Sequence, residues 1–208
     1  YLAGIFTVLD YAKQLGYTTL NDPSRVGLSL ALGGGDVIPL EHAAAFGALA
    51  AEGVKHETVG ILKVEKGDGT VLDEWKQGEG VRVFNTNIAR MVTDILQDNN
   101  ARSYVFGESS FLYLGDRQVA AKTGTTNDYR DAWMMGYTPQ LAVGVWVGNN
   151  DFSAMKRGAG GSAVAGPIWN RFMRSALEEY KVKQFVEPEI EYPDKPILRG
   201  DLEGGTPV

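Results

Sequence analysis

Three apolar runs, Val119 to Ala121, Ala132 to Tyr137 and Leu141 to Gly148, restrict the folds open to this chain more than any other feature. Only Thr138-Pro139-Gln140 joins the second run to the third. A connection that short holds no crossover, so the two runs must pair antiparallel. The first run continues into Lys122-Thr123-Gly124-Thr125-Thr126-Asn127-Asp128, a strand that ends in a polar turn. Helical spacing appears on both sides. Leu2, Ile5, Val8, Leu9, Ala12 and Leu15 form one face, with Gly16 placed to cap it. Pro39 opens a helix of small residues that stops at Gly53 and should lie inside the domain. Asn85-Thr86-Asn87 precedes Ile88, Met91, Val92, Ile95 and Leu96, which read as a core face ending at Asp98-Asn99-Asn100. Ser162 opens a last helix through Ile168, Trp169, Phe172, Met173, Ala176 and Leu177. Strands and helices segregated in this way predict an α+β fold, an antiparallel sheet flanked by helices.

Elsewhere the sequence is less constraining. Gly67-Asp68-Gly69 joins two short strand-like runs as a hairpin at the domain edge. Gly33-Gly34-Gly35 lacks the Lys-Ser/Thr of a phosphate loop and reads as close backbone packing. Gly158 to Gly161 reads as a mobile loop, and the Pro- and acid-rich stretch from 181 to 208 as an extended arm or linker. His42 reads as an ordinary helix-start residue and His56 as solvated; their spacing is not that of metal ligands. The net charge of −6 and the absence of a Lys/Arg cluster argue against a nucleic-acid surface. There is no cysteine, so thiolate metal sites and disulfides are excluded, and no cofactor motif is present. No apolar run approaches the length of a membrane span. The first residues fall inside a helical pattern without a Met, so a fragment is expected.

The Lys122-Thr123-Gly124-Thr125 stretch carries the chemistry. A serine nucleophile attacking an amide needs donors aimed at the oxyanion and a cation near a substrate carboxylate. Lys122 offers a positive charge, the Thr123 and Thr125 hydroxyls can bond a carboxylate, and Gly124 lets a ligand approach the backbone. The Thr125 backbone N–H is then a candidate oxyanion donor. A plain surface strand turning through Thr-Gly-Thr is the alternative for the triplet alone. Trp133 fits either the cleft or the core.

The residues around this triplet are more specific. Lys122 to Asp128, Asp131-Ala132-Trp133, Gly136-Tyr137-Thr138-Pro139 and Val145-Trp146-Val147-Gly148 resemble the C-terminal part of the transpeptidase domain of class A penicillin-binding proteins. Leu32 to Glu41, the Ala-rich run after it, and Gly161 to Met173 are similar to the same family, so the resemblance covers Tyr1 to about Tyr180. Ala121 departs from it, standing where the family usually has Gly, and a tighter fit is expected there.

The resemblance implies a serine transpeptidase/β-lactamase-like fold of which this chain is the C-terminal portion, residues 1–180, followed by an extension, 181–208. It implies a D,D-transpeptidase that cross-links peptidoglycan through an acyl-Ser intermediate on a D-Ala-D-Ala stem peptide and is acylated by β-lactams. Lys122, Thr123, Gly124, Thr125, Thr126 and Trp133 would line the substrate site, with the Thr125 N–H in the oxyanion hole. The family also needs Ser-x-x-Lys and Ser-x-Asn upstream of Lys-Thr-Gly. This sequence has no Ser-x-Asn, and its one Ser-x-x-Lys, Ser153-Ala154-Met155-Lys156, falls in a loop after the third run. The nucleophile is therefore expected on a missing upstream half of the same domain, and this chain alone is expected to be inactive. The implied location is the outer face of the bacterial inner membrane, anchored by a segment outside this chain. A serine β-lactamase and a non-catalytic β-lactam- or peptidoglycan-binding module are the other readings.

Overall fold

The computed structural model describes residues 3–190. In chain order its elements begin with helices α1 (Ile5–Leu15) and α2 (Pro23–Val26), a 3-10 segment Gly27–Leu32 and helix α3 (Pro39–Ala50). Short strands β1 (Val54–Lys55), β2 (Lys63–Glu65), β3 (Val71–Glu74) and β4 (Val81–Arg82) follow. Helices α4 (Thr86–Gln97) and α5 (Asn99–Phe106) lead to strands β5 (Ala120–Thr125), β6 (Asp131–Tyr137) and β7 (Ala142–Gly148). A π-helical turn, Gly161–Ala165, then runs into helix α6 (Gly166–Ala176).

Strands β5, β6 and β7 form an antiparallel sheet in that order. The register opposes Gly124 to Trp133 and Trp133 to Trp146. Because side chains alternate along a strand, one face carries Lys122, Trp133, Met135, Tyr137 and Trp146. The other carries Ala121, Thr123, Thr125, Met134, Val143, Val145 and Val147. Helix α6 covers the second face. Trp169, Met173 and Leu177 are buried there with Leu112, Leu114, Val119, Ala121 and Met134, and the Trp169 indole N–H donates to the Val143 carbonyl at 3.1 Å. Gly136 makes this packing possible, since a Cβ on it would lie 2.5 Å from the Trp169 ring. Helices α3 and α4 cover the first face. There the Thr93 hydroxyl shares a hydrogen bond with the buried Tyr137 hydroxyl at 2.9 Å, and burial pushes the Tyr137 phenol up to about 12. The α+β architecture is thus as expected.

Several local expectations change. Met91, expected in the core, is half exposed, and Ile88 and Ile95 are exposed with it. Helix α4 instead buries Ala89 and Thr93, because only small side chains let its axis approach the sheet. In α1 just Leu9 and Ala12 are buried, while Val8 faces outward; Gly16 does cap this helix, in a left-handed conformation. Asp98 ends α4 as expected, and its carboxylate also accepts from the Ala101 N–H and starts α5. The Gly67-Asp68-Gly69 hairpin pairs β2 with β3 as a separate two-stranded sheet with every strand residue exposed.

After α6 the chain does not leave the domain at once. The Arg117 guanidinium donates to the Leu177 carbonyl at 2.9 Å and also to that of Tyr180. The Phe185 ring packs nearly perpendicular to Tyr137, 5.7 Å between centres, and its N–H donates to Gln118 Oε1 at 2.7 Å. Further on, the Asn87 side chain accepts from the Glu189 N–H and donates to the Glu189 carbonyl, at 2.7 and 2.8 Å. Residues 191–208 of the expected extension lie outside the described residues.

Candidate active site

The site is built on the free edge of β5. The Thr126 N–H donates to the Asp131 carbonyl at 3.1 Å. Hydrogen bonding in an antiparallel pair alternates along the strand. In this register Lys122 and Gly124 therefore bond to β6, and the backbone groups of Thr123 and Thr125 point away from it. No strand lies beyond β5 among the described residues. The Thr125 N–H, the oxyanion donor that the resemblance implies, therefore points away from β6 at the edge of the sheet.

Side chains gather at the same edge. Lys122 is exposed, and its ammonium donates to the Thr123 carbonyl at 2.6 Å. It has no carboxylate partner within salt-bridge distance among the described residues. Thr123 and Gly124 are half-buried and Thr125 is exposed. The Thr125 hydroxyl accepts from the Gly161 N–H at 3.0 Å. The Gly158 to Gly161 stretch, expected as a mobile loop, thus ends in fixed packing: a Cβ on Gly161 would lie 2.3 Å from the Trp133 carbonyl oxygen and 2.6 Å from that of Gly124.

Thr126 stands apart from the other threonines. Its hydroxyl donates to the Asp131 carboxylate at 2.9 Å and accepts from the Asp131 N–H at 2.8 Å. The other carboxylate oxygen of Asp131 accepts from the Trp146 indole at 2.9 Å. Thr126 therefore closes the β5–β6 connection and has no hydroxyl proton left for a ligand. The sequence showed these residue types without showing that they bond to one another.

Trp133 lies on the sheet face that carries Lys122, half-buried between two aromatic neighbours. Its ring is 6.4 Å from Trp146 and 5.7 Å, edge-on, from His42. His42 is not the plain helix-start residue expected. The Tyr17 hydroxyl meets its Nδ1 at 2.6 Å and Phe46 packs against its ring. Burial holds the His42 pKa below its ordinary value, and burial reinforced by Glu41 pushes Tyr17 up to about 12. A depressed histidine pKa means that the folded state favours neutral imidazole. Its stabilisation is complete above the unfolded value of about 6.5 and is lost as pH falls below it. Wild-type protein should therefore lose thermal stability relative to His42→Gln between pH 7 and pH 5, read from unfolding midpoints across that range. Parallel midpoint curves would show that His42 does not couple to folding.

Arg102 fixes where β5 begins. Its guanidinium donates to the carbonyls of Leu96, Leu112 and Val119 at 3.0–3.2 Å, and burial lowers its pKa. Ser153, the one serine in a Ser-x-x-Lys spacing, donates to Asp151 at 2.6 Å in an exposed turn. That bond to the carboxylate lowers the Asp151 pKa; Lys156 is exposed and forms no bond to Ser153. Among the described residues no three His, Cys, Asp or Glu side chains converge on a point that could hold a metal ion.

Comparison with known proteins follows the same stretch of chain. Residues 10–174 match the family model described as the penicillin-binding protein transpeptidase domain. Penicillin-binding protein 1A of Aquifex aeolicus is 34% identical over 186 residues, which cover 89% of this chain and 24% of that protein. The protein of the same name from Neisseria gonorrhoeae is 30% identical over 190 residues, again 89% of this chain and 23% of the relative. The chain thus spans about a quarter of the length of these relatives. Among solved structures, penicillin-binding protein PonA1 from Mycobacterium tuberculosis aligns with a TM-score of 0.77 at 29% identity, over 90% of this chain and 53% of that one.

Proposed function

Because the chain belongs to the penicillin-binding protein transpeptidase domain family, we propose that it supplies one wall of a D,D-transpeptidase cleft whose nucleophile lies on another part of the same protein. The observation that carries this reading is the open edge of β5. An outward Thr125 N–H, the Thr125 hydroxyl and the Lys122 ammonium lie along it, with no strand beyond it among the described residues. In this proposal an upstream serine attacks the D-Ala-D-Ala amide of the stem peptide, forming the acyl-enzyme and releasing the terminal D-Ala. The tetrahedral oxyanion forms against the Thr125 N–H, and Thr123 and Thr125 hold the substrate carboxylate. Lys122 keeps the local potential positive, and Gly124 lets the substrate lie close to the strand. Trp133 forms the floor beside it. A second stem-peptide amine then attacks the acyl-enzyme, and a β-lactam enters by the same route.

Residues 1–180 are proposed as the C-terminal portion of this domain and 181–208 as its extension. The exposed α4 face of Ile88, Met91 and Ile95 supports a missing partner surface, which the upstream half of the domain would cover. The family implies work on the outer face of the bacterial inner membrane, with the anchor elsewhere in the protein. Among the described residues no helix is long and apolar enough to cross a membrane. A fluorescent penicillin tests the split site directly. Covalent labelling is expected for the full-length protein and not for residues 1–208 alone. Labelling of the isolated chain would bring Ser153 back as nucleophile. A folded full-length protein that stays unlabelled would favour a non-catalytic binding module.

A further inference from the structure

We infer that the Gly160-Gly161 pair is a positioning device for the Thr125 hydroxyl, turning its proton away from the Gly161 N–H so that it can donate to a ligand carboxylate. The inference rests on the transpeptidase reading above. A threonine hydroxyl has one proton to give and two lone pairs to accept with. At Thr125 the Gly161 N–H occupies a lone pair at 3.0 Å, while the proton finds no acceptor among the described residues. The side chain is exposed at the open edge of β5. Because the Gly161 N–H points at the oxygen, the hydroxyl proton is turned away from Gly161 and stays free to donate to an anion.

Space around the pair holds this arrangement in place. Gly161 rests on backbone, its missing Cβ 2.3 Å from the Trp133 carbonyl oxygen and 2.6 Å from that of Gly124, so no side chain can move to admit one. Gly160 is different. Its φ of −84° suits any residue, and a Cβ there would meet Thr125 Oγ1 at 3.1 Å. Gly160→Ala therefore presses on the hydroxyl while leaving the backbone conformation available. Gly161→Ala would displace the strand itself.

The test uses the full-length protein with benzylpenicillin and its methyl ester, which lacks the carboxylate, and compares Gly160→Ala, Thr125→Val, Thr125→Ser and the double variant Gly160→Ala/Thr125→Val. Losing one charge-assisted hydrogen bond should slow acylation by the acid about tenfold in Thr125→Val. A smaller loss is expected in Gly160→Ala, with Thr125→Ser close to wild type. The ester should respond little to any of them. Since Gly160 acts through the hydroxyl, the double variant should be no slower than Thr125→Val. Multiplying effects, or equal slowing of acid and ester by Gly160→Ala, would overturn the inference. If the wild type is not acylated at all, the transpeptidase reading fails, and hydrogen exchange at the Gly161 amide decides the clamp. Exchange should be faster in Thr125→Val than in Thr125→Ser, and equal rates would refute it.

Discussion

Thr125→Pro in the full-length protein should slow acylation by penicillin about 10²–10³-fold, the usual consequence of removing one oxyanion donor. Few backbone donors can be removed so cleanly. Proline deletes an N–H and is tolerated where that N–H faces away from a sheet. The Thr125 N–H does so, because the Thr126 to Asp131 bond sets the alternation along β5. Gly124 before it already sits in a strand, the conformation that proline asks of its predecessor. The ladder to β6 should therefore survive, and the unfolding midpoint should move little. Proline also removes the hydroxyl, so Thr125→Val separates the two contributions; the drop from Thr125→Val to Thr125→Pro measures the N–H. Equal rates for the two variants would place the oxyanion elsewhere.

The second large effect is on stability. Trp169→Ala should destabilise the domain by about 3–5 kcal/mol, in the range found for deleting a buried tryptophan. The side chain is fully buried at the centre of the α6 side of the sheet, and its indole satisfies the Val143 carbonyl. The neighbours cannot close the gap easily, since Gly136 beneath the ring offers no side chain to fill it. Whole domains are stable by only about 5–15 kcal/mol, so a variant of this kind should unfold well below the wild-type midpoint. Trp169→Phe, which keeps most of the volume and loses the N–H, should fall between them. A midpoint unchanged in Trp169→Ala would mean that α6 is not packed as described.

What the sequence revealed and what it hid follow from the range of the interactions. The antiparallel pairing of β6 with β7 was legible because the four residues between them permit nothing else. The strand through Lys122 to Thr125 was legible because its apolar lead-in and polar end are local features. By contrast, the period of α4 announced an apolar stripe without saying which stripe meets the sheet. Ala89 and Thr93 are the residues it buries, and the bond from Thr93 to Tyr137 is a contact no periodicity records. The same limit applies at the site. Thr126 looked like its neighbours until Asp131 was found bonded to it, and His42 looked ordinary until Tyr17 and Trp133 were found around it. Gly158 to Gly161 read as a flexible run because composition registers missing side chains and not the backbone packed against them.

The paired bonds between Asn87 and Glu189 span 102 residues, and this separation bears on how the protein is made. At roughly 5–20 residues per second, synthesis reaches Glu189 about 5–20 s after Asn87. Throughout that interval the nascent α4 lacks its latch, and Tyr137 waits for Phe185 to cover it. The contacts of α4 are thus completed only after the segment following α6 has been made.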